Sequence, residues 1–521
     1  MAKETGCFHI RFTVFPETKP IESFAFFSKL SSMKKLFSRI ALSCALIPAI
    51  FAGTSMAAVN LPVHKEVLDN GLTVLLYPNK QAPTVSFRLF YVTGSVHEVP
   101  GKSGLAHILE HELFKGTKKV GISDSIADAQ FIATQDSLQA LIRPAKIAND
   151  TALLKKLTAE HDSVLNEHRK IFVKDELWGA YQAAGGTGLN AFTSDLLTAY
   201  TVTLPKNKIE LFMWLESDRM QNAVLREFYS ERSVVREERR MRYDDRPTGR
   251  FYETLNSMIY EAFPYRVPTI GWPSDIENLT REQAEEHYRK YYKPRNAILV
   301  LAGDLDTLET MKVIKKYFGP IPTGDAFPPL TVRDPEQAGE KRLIVKRKDA
   351  PNLYTLVFKT PAVGDSTLYA LDIAEGVLNG RSGRLYKRLV EEEKLAVGVS
   401  ASNSPNKYIS EFSVRVNLRP GANRDKVESV VWEELEKLKK EQVSEREFQK
   451  VKNRAYAGLI RSLTDMENVA TMLGWYEIYG DYRIFLNWAD NLDKVKADDV
   501  QDVAKKTFVR EKSTVGFLVK E

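Results

Sequence analysis

The chain has 521 residues, 43% of them hydrophobic and 27% charged, an ordinary globular composition with enough apolar content for more than one core. Its formal charge of +6 is concentrated at the start: residues 1–57 hold seven Lys/Arg against three acids, leaving 67 basic and 65 acidic residues in the remainder. That balance argues against a nucleic-acid binder, whose phosphate contacts need a clustered basic surplus. The only cysteines, Cys7 and Cys44, also fall before residue 58, so the body has no disulfides and no thiolate ligands, and a transition-metal site there must use His and carboxylate.

Residues 1–32 precede an export pattern and read as the product of an upstream start, with Met33 the alternative first residue. Met33 to Arg39 is basic, Ile40 to Ala52 is apolar, and Ser55-Met56-Ala57-Ala58 is small, which is the build of a secretory signal with cleavage expected after Ala57. The apolar run is too short to span a bilayer and Pro48 interrupts it. The mature chain is therefore expected to be periplasmic, with no stable membrane span.

Lys65 to Leu68 and Leu72 to Tyr77 read as a hairpin around Asp69-Asn70-Gly71, and Thr84 to Val92 as a further strand. A Gly/Pro-containing loop then leads to Gly104-Leu105-Ala106-His107-Ile108-Leu109-Glu110-His111-Glu112-Leu113-Phe114, a helix with Ser103 as expected N-cap and Gly116 as stop. Residues 118–185 read as an inserted arm of polar amphipathic helices, 123–141, 145–170 and 174–184, with His161 and His168 as solvated surface residues. Gly185 to Gly188 ends the arm, Leu189 to Ser194 follows, and Leu197 to Leu204 alternates as a strand. Helices are expected over 208–222 and from Glu227 to about Tyr243, the second placing Glu231, Val234, Val235 and Glu238 on one buried stripe.

A helix ending in Tyr or Phe, a basic turn and a strand occur twice, at 280–302 and 497–519. Strands restart at Arg342 after a Pro-rich stretch. The expected organisation is an extension and signal over 1–57, a first domain over 58–320 with an insertion at about 118–185, a linker over 321–337, and a second domain over 338–521 of similar plan but without a His-x-x-Glu-His.

On a helix, His107, Glu110 and His111 share one face, and two imidazoles one turn apart can reach one metal ion. A catalytic zinc needs three protein ligands and an open position for water. The third ligand must be a carboxylate; Glu238 is the first choice and Glu237 the fallback. Glu110 is left as the base that takes a proton from the attacking water.

Gly104 to Thr117 resembles the signature of the pitrilysin/insulinase family of inverted-zincin peptidases, which includes mitochondrial processing peptidase. Asn190-Ala191-Phe192-Thr193-Ser194 and the helix from Glu231 to Glu238 are similar to further segments of that family, and the resemblance spans nearly all of residues 60–521. It implies zinc held by His107, His111 and Glu238, with Glu231 as a supporting carboxylate. It also implies an α+β fold of two homologous α/β rolls, each an antiparallel-rich sheet with helices packed on it, together forming half of a clamshell. Peptide substrate would dock as an added strand beside Asn190, Ala191 and Phe192.

The chain departs from the family pattern in its long arm and in holding one pair of rolls. It also has Val390 and Val397 where the family's second half often carries an Arg and a Tyr that grip the substrate. In two-chain members a partner supplies that pair. The expectation is a zinc metalloendopeptidase that completes its site as a homodimer, or as a heterodimer with a related subunit carrying the Arg/Tyr pair. The rival reading is a non-catalytic scaffold subunit of such a complex.

Overall fold

The computed structural model describes residues 61–327 and 329–521, so the export segment lies outside the described residues. Two sheets organise them. The first holds β1 (His64–Val67), β2 (Thr73–Pro78), β3 (Thr84–Tyr91), β4 (Thr187–Thr193), β5 (Thr198–Pro205) and β6 (Ala297–Gly303) in the order β1-β2-β6-β3-β5-β4. The second holds β7 (Lys341–Arg347), β8 (Leu353–Thr360), β9 (Ala396–Ser404), β10 (Ser410–Leu418) and β11 (Ser513–Lys520) in the order β7-β11-β8-β10-β9. The repeat seen in the sequence is a repeat in topology. β6 pairs parallel to β2 with Thr73 opposite Ile298, and β11 pairs parallel to β7 with Thr514 opposite Lys341. All other pairings among these strands are antiparallel. The result is the expected α+β architecture of two matching rolls.

The central strands are apolar on both faces, as they must be when each face is covered. Along β3, Phe87, Leu89 and Tyr91 enter a core capped by the first roll's own helices, while Phe90 points the other way. That other face is covered from the second roll by the helix Met466–Tyr479, whose Val469, Ala470 and Leu473 share a core with Phe90, Ile298 and Val300. In return, the helix Pro247–Ile259 of the first roll places Phe251 and Leu255 against Gly516 of β11. Each sheet is thus closed on one face by a helix from the other half. Arg88 of β3 ties the exchange, reaching Thr471 at 3.0 Å and Glu467 at 3.4 Å.

The His-x-x-Glu-His segment lies on α1 (Leu105–Glu112), and the arm holds α2 (Ser125–Ile147), α3 (Thr151–His168) and the shorter helix Glu176–Ala183; α4 (Phe228–Arg239) and α5 (Arg281–Tyr291) pack against α1. Three details differ from the sequence reading. The break in the arm falls at Asn149 and Asp150, not near Pro144: Asn149 turns to φ +54°, and Asp150 caps α3 through Leu153 N. Val234 is exposed, and only Val235 of that pair is buried. His161 and His168 are buried, not solvated. His168 Nε2 lies 2.8 Å from Asp128, which also receives Arg226 at 3.0 Å, so this polar triplet clamps the arm to the first roll. Among the described residues no helix is long and apolar enough to cross a membrane.

A methyl group at Gly474 would run into the Phe90 ring where the Met466–Tyr479 helix meets the first sheet. Gly474→Ala should therefore destabilise the fold by about 2 kcal/mol through overpacking, despite alanine's better helix propensity. Urea unfolding of the two proteins measures this.

Candidate metal site on the first sheet

α1 starts abruptly because Gly104 adopts φ +94°, and a Cβ there would sit 2.8 Å from Ile270 O. Ser103 does not cap the helix; its hydroxyl donates to Asp275 at 2.6 Å. The opening N–H groups go instead to Glu98, whose carboxyl accepts from Gly104 N and Ala106 N, each at 2.8 Å. The sequence reading passed over Glu98 because it lies six residues before Gly104, inside a loop. Burial pushes its carboxyl up to about 8, against the pull of these N–H groups.

His107 and His111 lie edge to face, with ring centroids 4.9 Å apart. Their Nε2 atoms converge on Glu238 of α4, at 3.9 Å from Oε1 for His107 and 3.5 Å from Oε2 for His111. One donor atom from each of these three residues lies within 4.8 Å of the others. The fallback Glu237 is exposed and pairs with Arg240. Glu231, one stripe along α4, meets His111 Nδ1 at 3.2 Å and Lys115 Nζ at 2.7 Å. Burial pushes the Glu231 carboxyl up, but His111 and Lys115 outweigh it and hold the group at about 2. Arg242 Nη1 sits 2.6 Å from Glu238 Oε1.

The donor set fits a divalent transition metal. Burial, reinforced by His111 and Arg242, pushes His107 well below its ordinary range, so its ring is neutral and able to ligate. Its Nδ1 is buried without a hydrogen-bond partner, so its one polar outlet is Nε2, on the Glu238 side. A His bonded through its second nitrogen to a carboxylate, as His111 is to Glu231, is the common support of a metal-ligating imidazole.

Glu110 stands on the same face of α1 and accepts a hydrogen bond from Thr193 Oγ1 at 2.6 Å. Burial and the Glu238 charge push its carboxyl up, while Thr193 and His111 pull it down. Thr193, which holds the Glu110 carboxyl by this hydrogen bond, was quoted in the sequence reading only as part of a segment. It ends β4, the edge strand carrying Asn190, Ala191 and Phe192. On one side β4 pairs with β5, with Asn190 opposite Thr201 and Phe192 opposite Ala199; its other edge carries no strand among the described residues. Asn190 is exposed, Ala191 is buried, and Phe192 stacks on Trp475 of the second roll at 5.9 Å.

Two matching rolls with a His-x-x-Glu-His helix on the first form the architecture of half-clamshell peptidase folds, and the comparisons agree. Residues 73–129 match the insulinase family (peptidase family M16), and residues 278–455 match the peptidase M16 inactive domain. Both rolls thus carry a segment that matches a model of the insulinase family, M16. The chain is 28% identical over 497 residues to the zinc protease PqqE of Helicobacter pylori, covering 94% of this chain and 99% of that one. It is 22% identical to the uncharacterized zinc protease YmxG of Bacillus subtilis, covering 86% and 96%. A crystal structure of a protease from Helicobacter pylori superposes with a TM-score of 0.75 at 26% identity, over 88% of this chain and all of that one. The periplasmic protease PqqL of Escherichia coli, at 18% identity and a TM-score of 0.67, shares the fold over 89% of this chain, which spans 48% of PqqL.

A carboxyl held at about 8 favours the folded state while protonated, so the stability linked to Glu98 is full below the ordinary carboxyl range and falls as pH rises towards 8. Wild type should lose stability relative to Glu98→Gln between about pH 5 and pH 8. Denaturation midpoints of both proteins at the two pH values check the sign.

Proposed function

We propose that the chain is an exported zinc metalloendopeptidase that hydrolyses peptides or unfolded polypeptides and works with a related partner subunit. The observation that carries it is the convergence of His107, His111 and Glu238 with Glu110 beside them and outside the ligand set. Zinc, when held by those three residues, supplies a Lewis acid that polarises a peptide carbonyl and acidifies water. The chain's own residues do the rest. Glu110 takes a proton from the attacking water and returns it to the leaving amine, and Thr193 fixes the carboxyl for both transfers. Glu231 orients His111 and sets its tautomer. The open edge of β4 at Asn190 to Phe192 binds the substrate main chain as an added strand, next to the base.

The partner clause rests on Val390 and Val397. Val397 lies exposed on β9, the edge strand of the second sheet, and brings neither charge nor hydroxyl to it. It is supported by PqqL, of which this chain spans about half. Within the chain we assign the zinc-bearing domain to residues 58–320 and the second domain to 338–521, joined by the linker 321–337. Export rests on the basic, apolar and small-residue run from Met33 to Ala58.

Purified protein should contain one zinc per chain, and a zinc-free preparation would favour the scaffold reading. Glu110→Gln should keep the zinc and lose about 10²–10⁴-fold in peptide cleavage, read by metal analysis and a quenched-fluorescence substrate. Glu231→Ala should weaken zinc binding by about 10–100-fold in a chelator competition. Addition of a homologue carrying the Arg/Tyr pair should raise cleavage by the chain; full activity of the isolated monomer would remove the partner from the proposal.

A further inference from the structure

Four arginines flank Glu238 in the run from Arg236 to Arg242, and the fold gives each different partners. Arg236 reaches Asp244 at 2.9 Å and Glu277 at 3.2 Å. Arg239 is fully buried on Glu253 at 2.6 Å. Arg240 pairs with Glu237 at 2.6 Å and with Asp245. Arg242 lies on the helical turn Arg240–Asp244 that continues α4, four residues after Glu238 and so on the same face. It turns to the metal cluster and puts Nη1 2.6 Å from Glu238 Oε1.

That contact falls on a candidate ligand. Oε1 is the Glu238 oxygen on the His107 side, 3.9 Å from Nε2, and Oε2 is 3.5 Å from His111 Nε2. The guanidinium and a metal held by His107, His111 and Glu238 therefore draw on one carboxylate. The Arg242 charge also reaches across the site. Burial and His111 keep His107 neutral, and Arg242 adds to them; burial pushes the Glu110 carboxyl up, and Arg242 opposes it. Lys115, the other cation close by, stands behind His111 on Glu231 at 2.7 Å and Glu227 at 3.4 Å.

A group that supports a metal ligand acts in one of two electrostatic senses. Glu231 is an anion behind the imidazole of His111; it orients the ring and adds negative charge that favours a dication. Arg242 is a cation on an anionic donor. It holds the carboxylate in place, but it takes up part of the carboxylate's charge and repels a dication twice as strongly as a monocation. Coupling of this kind is reciprocal: the Arg242 pair weakens metal binding by the factor by which the metal weakens the pair. The Glu238 side chain is only 15% exposed and already confined between two rings, so the ordering share is small and the charge decides the sign.

We propose that Arg242 is a positioning residue that competes with zinc for Glu238, keeping the carboxylate turned to the imidazoles and holding metal affinity down. The inference rests on the metal reading above and predicts opposite signs for two supports of the same site: loss of Glu231 loosens zinc, and loss of Arg242 tightens it.

The test is chelator competition for zinc by the full-length wild type, Arg242→Met, Arg242→Gln and Arg242→Lys. The Arg242 side chain is 47% exposed, so the fold should survive its replacement. Arg242→Met should bind zinc at least about tenfold more tightly than wild type, and Arg242→Gln, which keeps a hydrogen-bond donor without the charge, should tighten it too. Arg242→Lys should stay within about threefold of wild type, because it keeps the charge. The gap between wild type and Arg242→Met should narrow from about 0.05 M to about 0.5 M salt, since a half-exposed charge is screened. Zinc should also raise the melting midpoint of Arg242→Met by more than that of wild type. Unchanged or weaker zinc binding by the two neutral variants, or equal tightening by Arg242→Lys, would overturn the proposal and leave the metal reading in place. Wild-type protein that takes up no zinc would overturn both.

Discussion

Three carboxylates and two imidazoles are held together largely out of water at one end of the first sheet, and much of the structure serves to make that arrangement tolerable. Isolated buried charge is costly, so each group needs a partner with opposite sign or a hydrogen bond. Glu231 has His111 and Lys115, Glu110 has Thr193, and Glu238 has Arg242 and the two histidine rings. The histidines are set differently: His107 is driven neutral by burial, while His111 is held in a negative surround. A dication shared by His107, His111 and Glu238 would balance the remaining negative charge.

The geometry depends on rigid supports at a distance from the cluster. α1 is fixed at its start by Glu98 and by the left-handed Gly104, so its histidines have little rotational freedom. α4 is aligned by Arg239, fully buried, which reaches Glu253 at 2.6 Å and Gly271 O at 2.8 Å. Behind β4 and β3, the second roll supplies the helix that covers the first sheet, so Phe192 at the open edge of β4 stacks on Trp475 from the other half. The second half carries no ligand, yet it forms the floor on which the first half's site rests.

The arm is the chain's main departure from a plain pair of rolls. It is docked by the His168, Asp128 and Arg226 triplet and by the Tyr229, Asp136 and Arg281 contacts, and is not a loose appendage. That docking leaves a cleft between the arm and α4, lined by both acidic and basic side chains. The sequence reading placed His161 and His168 on a solvated surface because a polar amphipathic helix does not reveal which of its faces another element covers.

The His-x-x-Glu-His helix, the echo of helix and strand in the two halves, and the pairing of Glu231 with Glu238 were legible in the sequence, because helical and strand periodicity are local and fix which side chains share a face. The sequence put Glu238 ahead of Glu237 as third ligand, while the edge position of β4 followed only through family resemblance. The tertiary structure shows that Glu238 is the one that faces the histidines, since neighbouring glutamates on a helix point about 100° apart and only packing says which direction that is. Glu98, Thr193 and the arm's cleft were beyond the sequence for the same reason. Each acts through a partner distant along the chain or in a loop without period, and such pairings exist only once the chain has folded.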